Sequence, residues 1–237
     1  MGKYLIVFLV GLSVGFLIFG FLNGSVLPKV FKANLGQQIS TPLPSVLSSI
    51  PTSTPFDFWQ KIVADASLST VAIQSFQNNT LKKQGSGIIL SSDGLIVTTL
   101  DVVAGKKIQV FFEDKIFQAA IVKKDLINNL ALIKAEGGNF NISNLDNPVS
   151  YESGQDYILT GKLLDLSKIT TFSQKALVHY VLDNKIVLNS QLEGFINGAK
   201  TLNFDGQMVG LSYLGGDKVY LVKSSIINDF YNSYLIK

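Results

Sequence analysis

The stretch GSGIILSSDGLIVTTLDV, Gly85 to Val102, decides how the chain is read. Ser86–Leu90 and Leu95–Leu100 are short runs rich in β-branched and apolar residues, and Asp93-Gly94 between them is a turn dipeptide. Strand, turn and strand follow each other with no helical spacing in between. That is the grammar of an antiparallel hairpin.

The same grammar continues outward. Thr70–Phe76, Lys107–Phe112, Lys115–Val122 and Leu130–Ala135 read as further strands around the hairpin. A second series follows at Asp156–Gly161, Lys168–Phe172, Leu177–Leu182, Lys185–Leu188, Lys200–Asn203, Met208–Leu214 and Lys218–Val222. Gly137-Gly138, Asp205-Gly206 and Gly215-Gly216 punctuate the series as turns. About a dozen short strands over about 160 residues predict an all-β antiparallel sandwich or barrel rather than βαβ units. Helical spacing appears only at the flanks. Phe58, Ile62 and Val63 predict a short amphipathic helix over Phe56–Ala66. Ile226, Ile227, Phe230, Tyr231, Tyr234 and Leu235 predict another over Ser224–Ile236, opened by Ser224 and Ser225 as caps.

Composition removes several chemistries. The 237 residues contain no cysteine, so disulfides, thiolate metal sites and cysteine nucleophiles are excluded. A single histidine, His179, excludes a histidine metal cluster, and no metal or other cofactor is expected. All 20 basic residues are lysine, so bidentate arginine clamps on phosphate or guanine are absent. The net charge is only +3 and the lysines are scattered, so nothing calls for nucleic acid as a partner.

Ahead of the strands, Tyr4–Leu22 runs nineteen residues without a charge. A helix of that length spans roughly 28 Å, close to the hydrocarbon thickness of a bilayer. Lys3 before it favours a cytoplasmic N-terminus, residues 1–3, with the bulk of the chain outside. The expectation is therefore a single-pass membrane protein whose partner through residues 4–22 is the bilayer; the alternative is a cleaved signal peptide, for which Asn23-Gly24-Ser25 offers small residues but no A-x-A site. Residues 23–55 hold five of the six prolines among Ser, Thr and Gln, the composition of an extended linker.

The order of motifs from Phe56 to Lys237 resembles a trypsin-like serine protease domain of the HtrA/Deg type. Gly85-Ser86-Gly87-Ile88-Ile89 resembles the family's G-S-G strand, and Ser92–Thr99 its D-G turn and following strand. Asp125–Lys134 (DLINNLALIK) is similar to the D-x-x-x-D-L-A-x-L-K segment, and Asn203–Leu211 (NFDGQMVGL) to the hairpin after the nucleophile loop. Tyr220-Leu221-Val222 and the last helix are similar to the closing elements. The resemblance implies a double six-stranded antiparallel β-barrel with a cleft between the barrels. The first would occupy about 67–150, the second about 151–222, and the C-terminal helix about 224–236.

The resemblance also locates the catalytic positions, and each is altered. Thr98-Thr99-Leu100-Asp101-Val102 puts Asp101 where the family carries its histidine base. Asn129 stands at the aspartate that orients that base. Counting back from Asn203 and Gly206, Asn197 stands at the serine and Phe195 at the oxyanion glycine. Acyl transfer needs a hydroxyl nucleophile, a base to take its proton and a partner to fix the base. None of the three is present, so the expectation is a pseudoprotease. Asn197, Gly198, Ser212 and Tyr213 are the candidate cleft residues for binding an extended peptide or an envelope protein. An active endopeptidase with a relocated site using Asp101, and a purely structural envelope protein, are the alternatives.

Other residues read more plainly. His179 lies in an alternating strand of the second barrel and is expected to be a strand histidine with a satisfied hydrogen bond. Ser86 and Ser190 have structural readings. Asn197-Gly198 is a turn, with cyclisation of the pair as the chemical alternative. In the resembled family, aromatics like Phe56, Phe58 and Trp59 can support homo-oligomers; the amphipathic spacing favours a helix packed on its own barrel.

Overall fold

The computed structural model describes residues 55–145, 150–182, 185–191 and 194–236. The apolar segment 4–22 and the linker up to residue 54 lie outside the described residues. Among the described residues no helix is long and apolar enough to cross a membrane.

Helix α1 (Pro55–Ser67) opens the domain. Six strands follow: β1 (Thr70–Gln77), β2 (Thr80–Ile89), β3 (Leu95–Thr99), β4 (Lys107–Phe112), β5 (Lys115–Asp125) and β6 (Leu130–Ala135). They close into an antiparallel barrel in the order β1-β2-β3-β6-β5-β4. The next six are β7 (Asp156–Asp165), β8 (Lys168–Leu182), β9 (Lys185–Asn189), β10 (Ala199–Leu202), β11 (Met208–Gly215) and β12 (Lys218–Lys223). They close in the order β7-β8-β9-β12-β11-β10, which repeats the first barrel's connectivity. Helix α2 (Ser224–Leu235) ends the chain.

Period-two alternation explains how one strand serves two cores. Ile96 of β3 points into the first barrel, with Val71, Val110 and Ile133. Its neighbours Leu95 and Val97 point the other way, into a layer shared with Ile158, Leu202 and Leu211 of the second barrel. The second barrel's interior holds Tyr157, Leu159, Val178 and Val209. Both helices join the shared layer, α1 through Ile62 and Ala66 and α2 through Ile227 and Phe230. Strands buried on both faces read as unbroken apolar runs, as Leu95–Val97 does.

Several boundaries differ from the sequence expectation, and three differences have a clear local cause. Strand β2 begins at Thr80, because polar Thr80–Gln84 pairs with Gln74–Gln77 across the turn at Asn78-Asn79. The two runs expected at 168–172 and 177–182 are one strand, β8, whose polar middle is carried by continuous pairing with β7. Ser224 and Ser225 do not cap α2: Lys223 is the N-cap and makes no side-chain cap bond, while Ser224 is the first helical residue and is buried.

Ser86 joins the barrels. It is fully buried on β2. Its hydroxyl donates to Lys162 O at 3.0 Å and accepts from Lys162 N at 2.9 Å, across to β7. Its amide donates to Asn197 O at 2.9 Å, and its carbonyl accepts from Thr98 Oγ1 at 2.7 Å. Ser86→Ala leaves both polar groups of Lys162 without this partner. It is expected to lower unfolding stability by about 1–3 kcal/mol in urea titration, with little change in slope.

Candidate functional site

The loops named by the sequence meet at the seam between the barrels. Asp101 sits in a single turn after β3, built by Val102 N to Thr99 O at 3.2 Å and Val103 N to Leu100 O at 3.2 Å. Its carboxylate is exposed and has no hydrogen bond or ion pair among the described residues. Asn129 ends the β5–β6 turn with a left-handed φ of 56°, which asparagine adopts more readily than most residues. Its carbonyl accepts from Leu100 N at 3.3 Å, which places it beside the Asp101 turn. That turn is held by Asp125, whose carboxylate accepts from Ile127 N at 2.9 Å, Asn128 N at 3.0 Å and Asn128 Nδ2 at 2.7 Å. Burial pushes the Asp125 carboxyl up, but these hydrogen bonds and the Lys123 charge outweigh it and hold it below the usual aspartate value.

Asn197 is only 8% exposed. Both polar atoms of its side chain are engaged: Oδ1 accepts from Leu214 N on β11 at 2.7 Å, and Nδ2 donates to Gly194 O at 3.4 Å. Its carbonyl carbon and oxygen press on Gly85, where a Cβ would lie 2.5 Å from both Asn197 O and Val102 Cγ2. Gly198 has φ 81° and its N–H donates to Ser212 O at 2.9 Å. A Cβ on Gly198 would overlap the Ser86 carbonyl. Cyclisation of Asn197-Gly198 needs the Gly198 nitrogen to attack the Asn197 amide carbon. Both groups are tied elsewhere, so the pair acts as a turn.

Phe195 lies in the 3₁₀ turn Gly194–Ile196 and packs edge-on against Phe172 of β8, with ring centroids 4.8 Å apart. Ser212 is fully buried, with its hydroxyl donating inward to Ala199 O at 3.2 Å. Its neighbour Tyr213 is half-buried against the shared layer and stacks on Tyr220 of β12 at 5.3 Å. Burial raises the Tyr213 pKa first, and the Tyr220 and Asp101 charges add to it. Asp101 and Tyr213 are thus within electrostatic reach.

Asp101, Asn129, Asn197, Gly198 and Tyr213 are brought to one seam; His179 has a different setting. It is the extra residue of a bulge on β8, exposed, with its ring edge on Tyr180 at 5.2 Å. Its imidazole has no hydrogen bond among the described residues, unlike the satisfied strand histidine expected. Ser190 accepts from Gln174 Nε2 at 3.2 Å, a loop contact. Trp59 packs on the second barrel, donating to Ser173 Oγ at 3.4 Å and meeting Phe204 edge-on. Sequence reasoning missed Tyr220 and Phe172. Counting across the Gly216-Asp217 turn would have placed Tyr220 opposite Tyr213. Nothing local signals that Phe172 meets Phe195.

Two closed six-stranded barrels with one repeated connectivity, and these loops at their seam, have the architecture of a trypsin-like domain. No family model matches the chain. The chain is similar to the mitochondrial serine protease HTRA2 of Drosophila erecta, 28% identical over 141 residues, covering 54% of this chain and 33% of that protein. The same identity is found with HTRA2 of Drosophila simulans, and with that of Drosophila virilis over 34% of its length. The match therefore spans about a third of these curated relatives. Fold and similarity together fit a trypsin-like, HtrA-like protease-family domain.

Two outcomes follow for this site. Asn197→Ala exposes the Leu214 N–H, so hydrogen exchange at that amide should accelerate at least tenfold while exchange in the first barrel stays slow; unfolding stability should fall by about 1–2 kcal/mol. Because the Asp125 pKa is lowered on folding, its contribution is present above the ordinary aspartate value and is lost as pH falls through the depressed folded value. Asp125→Asn should flatten that acid limb in thermal melts recorded across pH 2 to 6, about the carboxylate range.

Proposed function

We propose that the chain is a membrane-tethered, catalytically inert trypsin-like domain that binds a peptide or protein partner through what remains of its inter-barrel cleft. The observation that carries this reading is the Asn197 side chain. At the nucleophile position stands an amide whose oxygen and nitrogen both serve the fold, through Leu214 and Gly194. An amide is a poor nucleophile, and this one is turned toward β11.

The other positions support the same conclusion. Asp101 can accept a proton, but no hydroxyl is hydrogen-bonded to it among the described residues. A base without a positioned nucleophile does no acyl transfer, which weighs against a relocated site. Asn129 carries no charge to stabilise an imidazolium. Phe195 occupies the oxyanion side with its ring on Phe172, where a backbone donor pair would be needed. That packing is also the observation favouring a purely structural envelope role. Against it, Asp101 stays exposed and Tyr213 is only half-buried. The tether rests on the uncharged run 4–22 and on Lys3, with the N-terminus in the cytoplasm and the domain outside, in the cell envelope.

The test uses the full chain purified in detergent, incubated with casein and with a fluorophosphonate that labels active serines. No turnover and no labelling are expected. Turnover abolished by Asn197→Ala or Asp101→Asn would overturn the inert reading. Crosslinking of the chain in membranes separates the two non-catalytic roles, since a binding domain yields a discrete adduct that depends on cleft residues.

A further inference from the structure

The lysines that lie scattered along the sequence are gathered by the first barrel. Its strands alternate in direction, so the β1–β2, β3–β4 and β5–β6 connections all leave from one end. Each brings a lysine pair: Lys82-Lys83, Lys106-Lys107 and Lys123-Lys124. Pairing and hydrogen bonds hold the three connections side by side. Phe76 of β1 lies between Leu81 of β2 and Lys107 of β4, and Ser75 is opposite Lys83. Gly105 N donates to Ser75 Oγ at 3.2 Å, which fixes the β3–β4 loop to β1. The same loop is joined to the β5–β6 turn by Leu100 N, which donates to Asn129 O at 3.3 Å. Lys82, Lys83, Lys106, Lys107 and Lys124 are exposed, while Lys123 donates to Phe230 O on α2 at 3.3 Å. The carboxylates at this end are Asp101, Asp125 and, on α2 beside Lys123 and Lys124, Asp229. Among the described residues the opposite end reverses the sign: Asp93, Glu113, Asp114 and Glu136 stand there with Lys115 and Lys134, the last paired to Asp93. A body with one basic and one acidic end is oriented by a charged surface.

The basic end also presents apolar side chains to water. Leu81 is 48% exposed, Leu126 81% and Ile127 94%. Leu126 and Ile127 form the tip of the β5–β6 turn, and the three hydrogen bonds to the Asp125 carboxylate hold that tip in place. Beside the tip a groove runs to Ile226 and Phe230 of α2, with Lys123 and Lys124 on its wall. Lysines set around aliphatic tips match a surface with anionic headgroups outside and acyl chains just beneath. About 4–8 basic residues is the size of cluster that recognises such a surface, and the fold assembles one from pairs too short to count separately. A nucleic acid or an acidic protein satisfies the lysines but leaves leucine and isoleucine in water.

We infer that this end of the first barrel docks on the surface of an anionic bilayer. The lysines meet the lipid phosphates, and Leu126 and Ile127 enter the boundary between headgroups and acyl chains. The inference rests on the proposed membrane tether and is independent of the inert cleft. A tether keeps the domain at high effective concentration near the bilayer, so a surface of modest affinity is occupied.

The chain has no cysteine, so Ile127→Cys gives a single site for an environment-sensitive fluorophore. The labelled full chain is reconstituted into vesicles of phosphatidylcholine alone or of an equal mixture with phosphatidylglycerol. In the anionic vesicles the fluorophore is expected to shift to the blue and to be shielded from acrylamide, at low salt and not at high salt. The same label on Asp114→Cys, at the opposite end, should stay open to acrylamide in both. Lys82→Gln, Lys83→Gln, Lys106→Gln and Lys107→Gln together should lower the docked-to-free ratio by at least about 100-fold. Lys115→Gln should leave it unchanged. Shielding that is absent in anionic vesicles, equal in neutral ones or retained by the quadruple variant overturns the docking. Equal shielding by double-stranded DNA or polyglutamate, added to the chain in neutral vesicles, assigns the surface to a soluble polyanion and overturns it too. Flotation with neutral vesicles reads the tether separately. A chain that fails to float refutes the tether, while the fluorophore's response to added anionic vesicles still decides the docking.

Discussion

The rest of the structure depends on the burial of Ser86. A serine with no exposed surface must have every polar group satisfied, or the fold loses the desolvation cost of each. Here its hydroxyl is shared with both main-chain groups of Lys162, its amide goes to Asn197 and its carbonyl to Thr98. One residue thereby ties β2 to β7, to the loop before β10 and to β3. The barrels approach so closely around it that Gly85 and Gly198 have no space for a side chain. That closeness puts the Asp101 turn, Asn197 and Leu214 of β11 in one place.

The seam also explains why an amide can sit at its centre. A nucleophile must keep its reactive atom free and aimed at substrate. Asn197 does the reverse, spending both polar atoms on the 3₁₀ turn and on β11. Phe195 fills neighbouring space with a ring contact to Phe172. Both residues make contacts that hold the loop in its folded place. The loop is thereby part of the packed structure. Lys200 shows the same economy on the far side of the loop: although buried, its ammonium reaches Ser69 Oγ at 2.8 Å, just beyond the C-terminal end of α1, where the helix dipole favours a cation.

Much of the fold was legible because its signals are local. Asp93-Gly94, Asp205-Gly206 and Gly215-Gly216 mark turns, and Leu130–Ala135 alternates between two cores. The failures share one cause. The polar stretches Thr80–Gln84 and Ser173–Lys175 carry no apolar pattern, and only their partners β1 and β7 make them strand. Ser224 looks like a cap, yet the chain enters α2 straight from β12 and buries it. At the site, the identities of Asp101, Asn129, Asn197 and Phe195 were readable from motif order. What their side chains do was not.

The sequence by itself determined the succession of short strands flanked by two helices, the absence of cysteine and arginine, and which residue types stand where the resemblance puts the catalytic positions. Those properties belong to single residues or to neighbours along the chain. Only the tertiary structure decided that the barrels close in the same order, that Ser86 bridges them and that Asn197 caps Leu214. It also decided that Tyr213 stacks on Tyr220. Each of these joins groups distant in sequence, and their geometry is set by packing around a common seam rather than by any local preference.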